Sequence, residues 1–461
     1  MTSLSLPYHR PPVIPFVYRL SDELLSDIFQ YCYRWSPAQP LLITDAPLSV
    51  ASVSSHWRRV ALSSPHIWSC INYSSSDHPD DIENNYFAKS LDYCKTWLGR
   101  SGAVPLKLHV TSFNYIKLVN LDAMDLFRQH THRMIEVQLF LRHGGLVQHN
   151  DTEAMAFAGF PKLERLILSY TPTLRNRTMA VDLTHLRNLR EVALLGNVHI
   201  AAIGLPLREL RRFTYTKENA TSPFTGPALL DALRVMDKAT GLQEVNLRGV
   251  HTRGSLTYDV HTIRAENLRK LTLVLDSAVY NGRLAILDRV TLPALEDAEF
   301  HFQRATERGP LPDAHSVLSL FQRSNPPRLQ RLSIGGGCID DTDLLAILCL
   351  SPELRRLELM CHVFVDLKAF LDRLTLRPDS TNNLCPNLET LLFSACPWGV
   401  SGHGMADMII SRCIGYDPND GAGVASGKLW RMYLHRMGYL DLWEDEAILD
   451  CVHKGLYLLI T

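Results

Sequence analysis

The residues best suited to chemistry in this chain are few and far apart. His130-Thr131-His132 would set two imidazoles on one side of a strand, the beginning of a metal pair. No third ligand stands at a useful spacing, so a surface turn is the expected role. Gly335-Gly336-Gly337 follows an apolar stretch ending at Ile334 and precedes a helical one, the order of a phosphate loop. The lysine such a loop needs is missing. Ser401 in Gly399-Val400-Ser401-Gly402 lacks the second glycine of a nucleophile elbow. The ten cysteines are dispersed without a C-x-x-C pair, and no local pattern joins a nucleophile to a base. Catalysis, a cofactor and a metal are therefore not expected, and the remaining surface is read for binding.

The composition narrows what could be bound. Lys+Arg 47 against Asp+Glu 48 gives a net charge of -1. A general phosphate-backbone binder needs a strong basic excess, so nucleic acid is not the expected partner. Residues 1–17 carry Pro7, Pro11, Pro12 and Pro15 without a long apolar core, and are expected to be a flexible arm. The uncharged run Leu344–Leu350 is far too short to span a bilayer, so no membrane is expected either. The N-x-[ST] matches at Asn72, Asn176 and Asn219 carry no weight without a secretory signal. The expectation is a reduced protein of the cytoplasm or nucleus. At 461 residues the chain is too long for one ordinary core, and two structural parts are expected.

Helices must position the first candidate surface. Ser21 can cap a helix whose first turn carries Asp22 and Glu23, both favourable near the positive end of the dipole. Leu24, Leu25, Ile28, Phe29 and Cys32 follow at helical spacing. A second helical stretch opens near Pro47 and runs through Trp57-Arg58-Arg59-Val60-Ala61, until Ser64-Pro65 stops it. Helices this short cannot bury so much apolar surface among themselves. The surplus either packs on the rest of the chain or docks a partner.

The order of these residues carries a resemblance. Leu20-Ser21-Asp22-Glu23-Leu24-Leu25-Ser26-Asp27-Ile28-Phe29 resembles the opening F-box pattern L-P-x-E-L-L-x-x-I-F, with serine where the pattern has proline. Leu48 to Val53, Trp57 to Ala61 and Ser64-Pro65-His66-Ile67-Trp68 resemble its second half. The whole is similar to fungal F-box proteins that carry an insert between helices one and two, here about Arg34–Ala46. The resemblance implies docking on a Skp-type adaptor and, through it, a cullin. The implied contacts are Leu20, Leu24, Ile28, Phe29, Val53 and Trp57.

Behind this module the chain repeats. Phe87, Leu91, Cys94 and Leu98 read as a helix ended by Gly99, and Leu106, Leu108 and Val110 as a strand. A window L-x-x-φ-x-φ, with φ apolar, then recurs at Leu163, Leu189, Leu210, Leu242, Leu268, Leu295, Leu329, Leu354, Leu388 and Leu429. A weaker member begins at Met134. Many of the spacings fall within the range of leucine-rich repeats, and the long ones imply insertions. Each unit would give a short inward-facing strand and an outer return, stable only when stacked. Helices are expected around Leu229–Met236, Val317–Phe321, Leu367–Leu374 and Met405–Cys413, with Asp313 and Asp366 as caps and Tyr416–Gly427 as a loop. Gly455–Thr461 is expected to add a last strand.

The expected fold class is thus α/β: an N-terminal three-helix F-box-like module followed by an irregular leucine-rich-repeat solenoid, a curved parallel sheet with helices on the convex side. The expected divisions are 1–17, 18–72, a linker helix over 73–100, and the solenoid over 101–461. Residues flanking the inward pair would face the concave side, among them Arg165, Arg212, Arg248, Lys270, Glu299, Arg331, Arg356, Glu358 and Tyr433. Their mixed charge suits a protein target of unknown identity. The functional expectation is a non-catalytic substrate-recognition subunit of a Skp–cullin–F-box type ubiquitin ligase. Its alternative is a protein-binding repeat scaffold that works without a ligase.

Overall fold

The structure, a computed structural model, describes residues 20–32, 47–75, 86–112, 122–143, 154–156, 159–172, 179–202, 207–216, 229–250, 262–276, 284–303, 315–324, 328–336, 339–361, 364, 366–377, 382–395, 402–413, 429–436 and 441–461. The expected arm, the insert between the first helices, the Asp313 cap, Ser401 and the loop at 416–427 lie outside them. The chain divides into two compact units, Met1–Gly144 and Gly145–Thr461.

In the first unit, helix α1 (Asp22–Tyr31) opens on Ser21, whose hydroxyl accepts from the Leu24 N–H at 3.3 Å. Helices α2 (Leu48–Val53) and α3 (Ser55–Ser63) come next, and Ser54 caps α3 by accepting from the Trp57 N–H at 3.1 Å. Asp22 ties α1 to α3 through Arg59 at 3.5 Å and His56 at 3.6 Å. Phe29 of α1 packs on Trp57 with ring centroids 5.0 Å apart.

These three helices share their unit with the first strands of the chain. Strand β1 (Cys70–Ser75), helix α4 (Tyr86–Arg100), strand β2 (Leu106–Ser112), helix α5 (Asp122–Arg128) and strand β3 (Met134–His143) belong to it, and β1, β2 and β3 pair in parallel. The expected boundaries at 72 and 100 therefore fall inside one compact unit, and α4 is a crossover helix between paired strands instead of a linker. Aromatic packing supplies the reason. Trp68 is fully buried, donates its indole N–H to the Ala61 carbonyl at 2.7 Å, and meets Trp97 of α4 edge-on at 4.9 Å. The Arg100 guanidinium lies 4.4 Å from the Trp68 ring centroid. The helix also runs past Gly99 to Arg100, and Gly102, at φ +53, makes the turn instead.

The second unit is built on the repeat. Its strands are β4 (Ala154–Ala156), β5 (Arg165–Pro172), β6 (Met179–Asp182), β7 (Glu191–Gly196), β8 (Val198–Ala202), β9 (Arg212–Thr216), β10 (Glu244–Val250), β11 (Ile263–Arg264), β12 (Lys270–Asp276) and β13 (Val290–Thr291). They continue as β14 (Asp297–Gln303), β15 (Arg331–Gly335), β16 (Arg356–Met360), β17 (Thr390–Ser394), β18 (Arg431–His435) and β19 (Tyr457–Ile460). Eleven of these form one parallel sheet in the order β5-β7-β9-β10-β12-β14-β15-β16-β17-β18-β19. The register keeps the second apolar position of each window aligned, from Leu166 opposite Val192 to Met432 opposite Leu458. All three apolar residues of the ten windows are at most 4% exposed, so this row is the core.

The strands are joined by main-chain devices that also repeat. The carbonyl one residue after the first leucine accepts two successive N–H groups from the next unit, as Glu164 does from Arg190 and Glu191. Seven residues after that leucine the backbone turns left-handed, at Gly196, Gly249, Gly336, Cys361, Ala395 and Arg436. At Gly336, Cys361 and Ala395 the N–H of this residue donates to the last strand carbonyl of the following unit, for example Ala395 to His435 at 2.8 Å, and Arg436 donates to Thr461, the residue after β19. Asparagine ahead of the first leucine closes a further link: Asn188 donates to the Pro161 carbonyl at 2.7 Å, Asn267 to Thr240 at 2.9 Å and Asn387 to Pro352 at 3.4 Å.

The returns are mixed, not uniformly helical. Short strands fill several of the spacings, the 21-residue one among them, with β4, β6 and β8 forming one small parallel sheet and β11 pairing β13. Helices α6 (Leu229–Lys238), α7 (His315–Ser324), α8 (Asp341–Cys349), α9 (Leu367–Leu374), α10 (Gly402–Cys413) and α11 (Glu446–His453) occupy the others. A helix with two connecting turns needs chain length that the 21-residue step from Leu189 to Leu210 does not contain. The expected Asp366 cap accepts from the Ala369 N–H at 2.9 Å.

Candidate interaction surfaces

Two surfaces remain once the core is filled. The first is the outer face of α1. Leu25 and Phe29 turn inward and are each 1% exposed, while Leu24 is 54% and Ile28 43% exposed one turn apart. Tyr31 extends the same stripe at 88% exposure, and Val53 and Leu62 are exposed on α2 and α3. Of the residues expected to meet an adaptor, Leu24, Ile28 and Val53 are therefore accessible, and Leu20 and Trp57 are half-buried. Phe29 is not accessible: its ring completes the module's core against Trp57. Tyr31 is legible at i+7 from Leu24 but falls outside the family pattern.

The second surface is the polar face of the eleven-stranded sheet, where strand alternation puts the residues two, four and six after each leading leucine. All nine expected target residues stand on it. The row two positions on reads Arg165, Glu191, Arg212, Glu244, Lys270, Asp297, Arg331, Arg356, Thr390 and Arg431. Signs alternate through Arg331, and strand neighbours pair: Arg165 with Glu191 at 3.0 Å, Arg212 with Glu244 at 3.5 Å, Lys270 with Asp297 at 3.3 Å and Asp297 with Arg331 at 3.5 Å. Partly exposed pairs of this kind contribute at most about 1 kcal/mol each. Their larger effect is to neutralise the face.

The middle of this face is a connected polar network. Glu299 accepts from Arg248 at 3.0 Å and from the Thr272 hydroxyl at 3.2 Å, and lies 3.6 Å from His301. His301 reaches the Ser333 hydroxyl at 3.2 Å. Burial lowers the His301 pKa, and the pull of Glu299 in the other direction does not cancel it. Glu358 sits between Arg356 and Arg331 and is only 6% exposed, so it is an internal counter-charge and not an accessible contact. Burial alone would raise its pKa; the two arginines outweigh that and hold it below the ordinary value. Thr272, His301 and Ser333 have no signal in the sequence, because nothing local distinguishes them from other solvent-facing strand positions.

The His130–His132 segment is a short 3-10 turn over Thr131–Arg133, not a strand. Arg133 dominates it, donating to the Val104 carbonyl at 2.9 Å and to the Ser101 hydroxyl at 2.9 Å, which fixes the loop after α4. Among the described residues no group of three His, Cys, Asp or Glu side chains could hold a metal, and no helix is long and apolar enough to cross a membrane. Neither a protein-family model nor a curated protein matches the sequence.

Proposed function

We propose that this chain is the target-recognition subunit of a Skp–cullin–F-box type ubiquitin ligase. In this reading residues 20–68 are an F-box module, and the repeating strands are irregular leucine-rich repeats. The carrying observation is the pair Leu24 and Ile28, large apolar side chains exposed on a capped helix whose opposite side is fully packed. Exposed apolar stripes of this kind are the usual signature of a docking face. Val53 and the half-buried Leu20 and Trp57 would complete the adaptor contact, with Phe29 supporting it from below. The mixed-charge face of the sheet would hold a protein target. Ubiquitin would come from another subunit, so the contribution of this chain is proximity.

The test is co-purification of the full chain with a Skp-type adaptor and cullin. Leu24→Asp combined with Ile28→Asp is expected to abolish recovery of both while leaving the circular dichroism spectrum unchanged. Trp57→Asp is a poor probe, because Trp57 packs on Phe29 and its loss would disturb the module. Wild type that recovers neither adaptor nor cullin would overturn the proposal and leave a repeat scaffold acting without a ligase.

A further inference from the structure

We propose that the polar face of the sheet grips its protein partner at Arg431, through an acidic side chain that is flanked by an apolar one. The ladder of alternating charge singles out this position. Each basic residue of that row from Arg165 to Arg356 has a carboxylate partner, Arg331 and Arg356 sharing Glu358. The pattern then stops. The strand neighbours of Arg431 are Thr390 and Tyr457, both neutral. Among the described residues no carboxylate lies within ion-pair distance of its guanidinium. Glu389, the acid among the described residues lining the cleft, is already held by Arg355 at 2.9 Å.

The surroundings of Arg431 differ from the rest of the face in a second way. It borders a cleft of about 800 Å³ whose walls include Trp430, Tyr433 and Tyr457. Trp430 is 49% and Tyr457 54% exposed, and the rings of Tyr433 and Tyr457 stand 5.8 Å apart. Rigid aromatic side chains beside an arginine are the residue types that dominate protein-binding energetics. Among the described residues, the cleft thus offers one cation without a carboxylate partner and a wall of aromatic carbon. A carboxylate matches the planar guanidinium in two-point geometry, and a neighbouring leucine or phenylalanine side chain matches the wall. Phosphate recognition draws on clusters of arginines, and among the described residues a single arginine lines this cleft, so an Asp or Glu segment is the better fit. The inference rests on the polar face being the target face, but not on adaptor docking; the two tests fail separately.

The experiment pans a phage-displayed random decapeptide library on the full chain, then measures resynthesised peptides by fluorescence anisotropy. Retained peptides are expected to carry Asp or Glu next to Leu, Phe or Tyr. Replacing that acid by its amide is expected to weaken binding about tenfold or more, as is Arg431→Gln in the protein. Trp430→Ala is expected to weaken it without removing the preference for acid over amide. Arg234→Gln, on the return helix α6 and not on the polar face, is expected to leave binding unchanged. The proposal is overturned if no peptide is retained, if retained peptides lack acids, if phosphoserine replaces the acid with tighter binding, or if Arg431→Gln binds as wild type does. Circular dichroism of each variant checks that the fold persists.

Discussion

His301 and Gly335 face one another on neighbouring strands, and the imidazole occupies the space a Gly335 side chain would need. A Cβ on Gly335 would lie 2.3 Å from Nδ1 of His301 and 2.9 Å from its next ring carbon. The ring is not free to swing aside, because its other nitrogen is engaged with Ser333 and Glu299. Gly335→Ala should therefore cost about 1–3 kcal/mol in urea unfolding, the usual scale of overpacking. In a His301→Ala background the same substitution should cost much less. Equal costs in both backgrounds would show that the ring is not the obstacle.

Glu358 makes stability depend on pH in a definite direction. Its folded pKa is depressed by Arg356 and Arg331, so its contribution is complete above the ordinary glutamate value of 4.5 and is lost as pH falls through the lower folded value. Glu358→Gln should lower stability by about 1–3 kcal/mol at pH 7. Below pH 4.5 its stability should fall less steeply with acid than that of wild type. Denaturation midpoints collected between about pH 7 and pH 3 test both statements.

Arg412 on α10 is 2% exposed, and its guanidinium donates only to carbonyls: to Leu374 at 2.9 and 2.6 Å, to Cys385 at 2.9 Å and to Leu384 at 2.7 Å. Leu374 ends α9, so this side chain serves as a cap delivered from the next repeat. Burial pushes its pKa down to about 10, which still leaves it charged at neutral pH. Arg412→Met would strand three buried acceptors and should cost about 3 kcal/mol or more. Hydrogen exchange should report the loss first in α9 and α10; uniform loss across the sheet would contradict a local cap.

Ser21 stands where the family pattern has proline, and its backbone already fits proline, with φ −66 and ψ 157. Ser21→Ala removes the hydroxyl that caps α1 and should cost about 1 kcal/mol. Ser21→Pro should recover part of that loss by restricting the unfolded chain. A proline variant less stable than the alanine one in thermal unfolding would refute this account.

What sequence alone determined is the internal grammar of the repeats. The apolar triplet at Leu163-x-x-Leu166-x-Leu168 and its successors has a strand's two-residue alternation, and every such triplet is buried. The same local logic identified Ser21 and Asp366 as caps, since a cap depends on residues three apart.

Tertiary structure decided everything that depends on what lies across a strand or beneath a helix. Leu24 and Phe29 sit on one helix and fit one family pattern, yet only packing on Trp57 makes the second a core residue. Asn188, Asn267 and Asn387 precede their leucines in plain view, but their role as links needs a carbonyl 27 or more residues away. The unity of the first three strands with the helical module comes from Trp68 meeting Trp97. Arg165 and Arg431 are equivalent in the repeat and identical in type. One has Glu191 beside it and the other has Thr390 and Tyr457, a difference set by neighbours in space and invisible within either window.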